Sequence, residues 1–173
     1  MLRRLIRNED GVASVEFVLI LPLLMLTYVG IAEVTQAFLA DKRVTHVAAA
    51  VGDLVAQSNS LTAAQMDDIY DIGADLIRPL PQADLAIRVT NVRIDANGVP
   101  QVQWTSGRNT TGMAAFSAAG SVPADLRTAG QVIIICETSY SYESPLDYVL
   151  KDPIVISRAM RFSPRENNVF LQS

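Results

Sequence analysis

An acid at the mouth of an apolar run is the residue of this sequence that most needs a chemical explanation. Glu16 is followed by Phe17-Val-Leu-Ile-Leu-Pro22-Leu-Leu-Met-Leu-Thr-Tyr-Val-Gly-Ile-Ala32, sixteen residues without a charge. A carboxylate in hydrocarbon is expensive and marks function by default, unless it lies near enough to the interface to snorkel into water. Gly11 stands five positions earlier. A cut after Gly11 gives Val12 a new α-ammonium, and Glu16 then lies at i+4 from it, one helical turn inward. Opposite charges about 4 Å apart at an effective dielectric of about 20 attract by roughly 4 kcal/mol before desolvation is subtracted. The acid can therefore compensate the amine of its own chain or of a packed neighbour, and in a membrane that is a selective docking contact.

The rest of the chain offers little chemistry. The single Cys136 sits in Ile-Ile-Cys, where a buried apolar role outweighs that of a nucleophile, and one Cys excludes an intramolecular disulfide or a multi-Cys zinc site. His46, the only His, falls off the apolar stripe of its helix and is expected on the surface. Asp67, Asp68, Asp71 and Asp75 lack the Gly turn and terminal Glu of a calcium loop, so they read as a solvated acidic face. No spacing marks a catalytic triad, a P-loop or a dinucleotide fingerprint. Asn109-Thr-Thr111 matches a short glycosylation sequon in a polar loop. Tyr140, Tyr142, Tyr148 and Phe162 fit sheet packing better than a partner surface. The reading is of a non-enzyme, with no catalytic residue, metal or cofactor.

These residues must be positioned by a membrane helix. Of 173 residues 50% are hydrophobic and only 18% charged, below the roughly 25% of an average soluble domain. The excess is concentrated in residues 12–32, twenty-one residues, just enough to cross a bilayer as a helix. Arg3, Arg4 and Arg7 precede the run, and Lys42 and Arg43 follow it, which by the positive-inside rule places the N-terminus in the cytoplasm. A net charge of −4 and a pI near 4.9 give no footprint for nucleic acid. Three fates compete for this segment: a permanent anchor, a secretory signal cut near Gly30-Ile-Ala32, or cleavage before the apolar run, after Gly11. Pro22 cannot donate its backbone bond to Val18 and is expected to kink or loosen the span.

Helical periodicity continues beyond the membrane. Val44, Val47, Ala48, Val51, Leu54 and Val55 form one stripe, and Gln57-Ser-Asn-Ser60 has the composition of a loop. Thr62-Ala-Ala-Gln65 is a capping box opening a helix whose apolar face is Met66, Ile69, Tyr70, Gly73, Leu76 and Ile77, stopped by Pro79 and Pro81. Strands follow at 85–94, 99–105, 131–142 and 154–162. The alternation in the first of them changes phase at Asn91, which suggests a bulge. Val102 and Trp104 are expected on one face. Asp95-Ala-Asn97-Gly98 reads as a hairpin turn with Asn-Gly supplying positive φ. Residues 106–130 read as a long connection with one short helix. The fold class is therefore α+β: a long N-terminal transmembrane helix packed against a small antiparallel sheet, with a second short helix.

The stretch Arg7-Asn-Glu-Asp-Gly11-Val-Ala-Ser-Val-Glu16-Phe17-Val-Leu-Ile-Leu-Pro22 resembles the class III signal of type IV pilin-like proteins, and is most similar to TadE/TadG-like minor pilins (pseudopilins) of the tight-adherence (Tad/Flp) system. The family pattern is a basic leader, a Gly before the cut, a Glu five residues beyond it, an aromatic, then an apolar helix containing Pro. Gly11, Glu16, Phe17 and Pro22 supply these features, and Val12 stands where the best-known type IV pilins carry Phe. Ser163-Pro-Arg165 resembles the family more weakly. The resemblance implies a cytoplasmic leader at 1–11, a transmembrane half-helix at 12–32, an extramembrane half at 33–57 and an α+β head at 58–173. It also implies cleavage between Gly11 and Val12 by a prepilin peptidase, assembly through Glu16, Phe17 and Pro22 with other pilin-like subunits and the Tad/Flp platform, and an inner-membrane protein with a periplasmic head that reaches the cell exterior if built into the fibre. An uncleaved, single-pass accessory protein with a periplasmic scaffold role is the alternative.

Overall fold

The computed structural model describes residues 10–146, 148–165 and 169–172. Arg3, Arg4 and Arg7, and most of the expected leader, lie outside the described residues. One helix, α1, runs unbroken from Asp10 to Gln57 and passes through Pro22. At 1.5 Å per residue its 48 residues span about 72 Å. Its two halves differ in what surrounds them. Residues 13–28 are exposed all round, whereas from Glu33 onward one face is buried. That face carries Ala40, Val44, Val47, Ala48, Val51, Val55 and Ala56, all at or below 4% exposure. Its spacing is the 3.6-residue period expected of a helix packed on one side.

Ser60–Thr62 forms a short strand β1, and Ala63–Leu76 forms the second helix, α2. The capping box is present in both directions: Gln65 N–H donates to the Thr62 hydroxyl, and Thr62 N–H donates to the Gln65 side chain at 2.9 Å. The buried face of α2 is Met66, Ile69, Tyr70 and Gly73, as the periodicity predicts. The strands β2 (Leu85–Ile94), β3 (Pro100–Arg108), β4 (Val132–Tyr142) and β5 (Ile154–Phe162) make one antiparallel sheet in the order β3-β2-β4-β5. α1 and α2 cover one face, where Leu85, Ile87, Val89, Ile134, Cys136 and Tyr140 join the main core. Full burial of a side chain of the Val, Leu or Ile class stabilises by about 1.5–3 kcal/mol, so this layer provides most of the cohesion of the head.

The other face of the sheet is buried as well. Val92, Ile94, Ile133 and Ile135 pack with Val122, and the connection between β3 and β4 supplies Phe116 and Ala118. That second core explains the phase change read in β2. The strand itself is regular against β4, and its apolar residues simply pass from one buried face to the other. The bulge is real but lies across the ladder, on β3. Asn91 pairs with Trp104 and Val92 with Val102, leaving Gln103 as the extra residue. The expectation that Val102 and Trp104 share a face is therefore corrected: the inserted residue turns Trp104 toward the main core and Val102 away from it.

The β2–β3 turn also differs in detail. Gly98 takes φ of 76°, but Asn97 is not left-handed. Asp95 makes the turn instead, its carboxylate accepting from Asn97 N–H and Val99 N–H, both at 2.8 Å. These bonds, the Val99 one foremost, hold the Asp95 carboxyl below the ordinary carboxylate range. A feature missed in sequence is a parallel pair formed by β1 and a C-terminal strand β6, Phe170–Gln172. Three-residue strands are too short for periodicity to reveal, and Ser60 belongs to β1 rather than to the loop. The segment leading to β6 also closes the end of α1. Arg165 N–H donates to the Ala56 carbonyl at 3.0 Å, one of the carbonyls a helix leaves unpaired at its C-terminus.

Gly73 lies where α2 meets α1. A Cβ there would stand 2.8 Å from Val51 Cγ2 and 3.0 Å from Ile87 Cδ1, both in fully buried side chains. Gly73→Ala is expected to lower head stability by about 1–3 kcal/mol, as overpacking does, despite the better helix propensity of Ala; denaturant unfolding checks it. Cys136 is fully buried and burial pushes its thiol up to about 12. It should therefore resist alkylation at neutral pH in the folded chain and react once the head is unfolded.

Candidate membrane and assembly segment

Gly11 and Val12 lie in the first turn of α1, so the bond between them is part of the helix. Glu16 and Phe17 follow one turn later and are exposed. Pro22 is exposed on the same helix two turns further on. The structure thus places the five residues singled out in sequence on one helical end, where Glu16, Phe17 and Pro22 are exposed. Around them Val15, Val18, Leu19, Leu23, Leu24, Met25 and Tyr28 are also exposed. An apolar surface of this extent facing all directions does not persist in water and indicates burial in lipid or against other helices. One helix is long and apolar enough to cross a membrane, which suggests single-pass anchoring. Two of its hydroxyls are satisfied within the helix. Thr27 and Thr35 hydroxyls donate to the Leu23 and Ile31 carbonyls at 2.9 and 2.8 Å.

A second acid, which sequence reasoning passed over, behaves in the opposite way. Glu33 ends the charge-free run, yet it is only 1% exposed. Its carboxylate accepts three consecutive backbone N–H groups from the loop between β4 and β5: Tyr148 at 2.8 Å, Val149 at 2.8 Å and Leu150 at 2.9 Å. Hydrogen bonds to an ionised acceptor are among the stronger ones available to a protein. They tie the membrane end of the head to α1. A signal was present in the sequence: Glu33 is the one charge between Phe17 and Ala40. A lone carboxylate at the end of an apolar run needs a partner at Glu33 as it does at Glu16.

Higher on α1 the head is held by Asp41, paired with Arg158 of β5, and by the Thr138 hydroxyl, which donates to the Val44 carbonyl at 3.3 Å. The remaining candidates are accounted for by the fold. His46 is exposed, and the aspartates of α2 lie on its exposed side, where Arg108 pairs with Asp71 at 2.6 Å. Among the described residues no group of acids, His and Cys is placed to hold a metal. Asn109 donates from Nδ2 to the Leu85 carbonyl at 3.1 Å, so its amide serves the fold. Tyr140 and Tyr142 are buried and Phe162 packs against the core, whereas Tyr148 is 64% exposed and departs from the sheet-packing expectation.

Replacing Glu33 with Ala leaves three loop amides without their acceptor. Hydrogen exchange at Tyr148, Val149 and Leu150 should then quicken many-fold while the β2–β4 amides stay protected. Unchanged exchange in the loop would contradict the clamp.

Comparison with curated proteins and with solved structures yields no match. Residues 11–53 match the family described as TadE-like protein. The match covers both halves of α1 described above: the exposed apolar end with Gly11, Glu16, Phe17 and Pro22, and most of the stripe that carries the head. The chain thus carries a TadE-like domain at residues 11–53, consistent with a TadE-like protein of the Tad pilus system.

Proposed function

We propose that this protein is a minor pilin, or pseudopilin, that serves as a structural subunit in assembling a Tad-type (Flp) surface pilus. The observation that carries this reading is the TadE-like segment whose apolar helix stands exposed beyond the head, with Glu16 five residues after Gly11. The chain inserts with its leader in the cytoplasm and its head in the periplasm. A prepilin peptidase cuts between Gly11 and Val12. The assembly platform then draws the span from the inner membrane into a bundle of pilin-like helices, where lipid contacts are exchanged for helix contacts. Glu16 meets the α-ammonium of a neighbour's Val12, a pairing stabilised by the low dielectric of the bundle. Phe17 packs beside it, and Pro22 lets the helix loosen locally as it leaves the bilayer. Burial and charge pairing do this work, in keeping with a family that is structural rather than enzymatic.

A second reading has one observation in its favour. The Gly11–Val12 bond lies within the first turn of α1, which begins at Asp10, and a peptidase would have to unwind that turn before cutting. An uncleaved, single-pass protein with the same head would act as a membrane scaffold for the pilus machinery and would have no use for Glu16.

Two variants separate the readings. Gly11→Leu should leave a precursor heavier by the leader on immunoblots of membranes, and no change in mobility would refute processing at this bond. Glu16→Ala should insert normally but abolish pili as counted by electron microscopy. Normal piliation with Glu16→Ala would sink the pilin role and favour the scaffold.

A further inference from the structure

The loop between β4 and β5 carries an apolar tip with no cover in the structure. Leu146, Tyr148 and Val149 are 50%, 64% and 49% exposed, while Leu150 turns inward against the main core. The tip lies along α1 beside the last turns of the span, since a Cβ on Gly30 would be 3.6 Å from Val149 Cγ2.

Glu33 has two effects here. With its charge enclosed by the loop, the exposed surface of α1 carries no charge from Phe17 to Ala40, twenty-four residues. That is about 36 Å of helix, against about 30 Å of hydrocarbon, so the level of the loop falls at or inside the edge of the bilayer. Irregular backbone at that depth is costly, because each amide without a partner loses several kcal/mol outside water. The Glu33 carboxylate supplies the partner for three successive amides. The whole loop 143–153 carries Glu143, Asp147, Asp152 and Lys151, a net charge of −2, so its lipid contact rests on the apolar tip, with the exposed Lys151 able to reach lipid phosphates and the exposed Glu143 and Asp152 left toward water. Tyrosine is also the residue type favoured where hydrocarbon meets headgroups.

We propose that the β4–β5 loop is a second membrane contact, with Leu146, Tyr148 and Val149 seated in the headgroup–acyl boundary of the lipid and Glu33 satisfying the backbone that carries them. The loop fixes the height and tilt of the head over the bilayer. It also adds apolar area that must leave lipid when the helix is extracted. The proposal rests only on the membrane-anchor part of the reading above, not on cleavage or on the pilus.

The test uses the full chain in vesicles of phosphatidylcholine and phosphatidylglycerol, in a Cys136→Ala background with an environment-sensitive probe on one introduced cysteine. Val149→Cys reports the loop, Leu23→Cys the span, and Asn97→Cys the exposed β2–β3 turn. A quencher attached high on the lipid acyl chain should quench the probe at 149 several-fold more than the probe at 97, and a water-soluble quencher should show the reverse order. Glu33→Gln should move the probe at 149 several-fold toward the water-soluble quencher with the circular dichroism of the head unchanged. Should that variant not fold, Leu146→Ser with Tyr148→Ser keeps the clamp and should weaken lipid quenching at 149. Water access at 149 equal to that at 97, with 23 still quenched by lipid, would overturn the loop contact and leave the span intact. Protection from both quenchers that grows with the protein-to-lipid ratio would assign the tip to a neighbouring subunit and overturn it too. Loss of lipid quenching at 23 would remove the membrane anchor itself, and the proposal with it.

Discussion

Everything in this molecule depends on one helix meeting two solvents. α1 runs without interruption from Asp10 to Gln57, so its two ends belong to one element. They are tuned by what surrounds them. The first half offers apolar side chains in all directions, and the second offers a single stripe that the sheet and α2 cover. The head cannot fold as a sheet alone, because the inner faces of β2 and β4 are completed by Val44, Val47, Val51 and Val55. The extramembrane half of α1 is thus both the stalk and a wall of the core. Any force on the membrane half reaches the head along one helix, whose hydrogen-bonded ladder is interrupted at Pro22.

Two acids flank the uncharged run 17–32 and are handled in opposite ways. Glu16 is exposed and has no contact with the head. Its charge is available to a group that arrives from elsewhere. Glu33 is enclosed, and its three backbone partners come from the same chain. The first arrangement suits an assembly contact formed late, and the second suits a permanent joint. Breaking the joint would leave a desolvated carboxylate and three amides unpaired, so the head and the helix behave as one body at this point.

Features with a strong periodic or capping signature were legible from the residues. The stripe on α1, the Thr62–Gln65 box, the buried face of α2 and the four strands all follow from the spacing of apolar residues and one reciprocal hydrogen bond. What escaped has a common cause: it depends on residues far apart in the chain. The β1–β6 pair joins positions about a hundred residues apart through three residues each, too few to show a period. The bulge was visible as a phase change, but its location on β3 depends on the pairing with β2, and the second buried face of β2 depends on Val122. Glu33 was readable as an isolated charge, yet its partners are backbone amides that carry no mark in sequence. Of the candidate segment, Gly11, Val12, Glu16, Phe17 and Pro22 were singled out by the resemblance to pilin-like signals together with their spacing, and all of them lie on one helix.

The account turns on whether the bond between Gly11 and Val12 is cut in the living cell. A cut creates the amine that Glu16 is placed to meet and frees the apolar helix from its basic leader. Without a cut the same helix is a fixed anchor, and Glu16 has no partner to select. The most direct measurement is the intact mass and N-terminal sequence of the protein isolated from its native membrane. A chain beginning at Val12 is the result the account predicts. A chain that still begins at Met1 would contradict it and make the protein a permanent membrane scaffold.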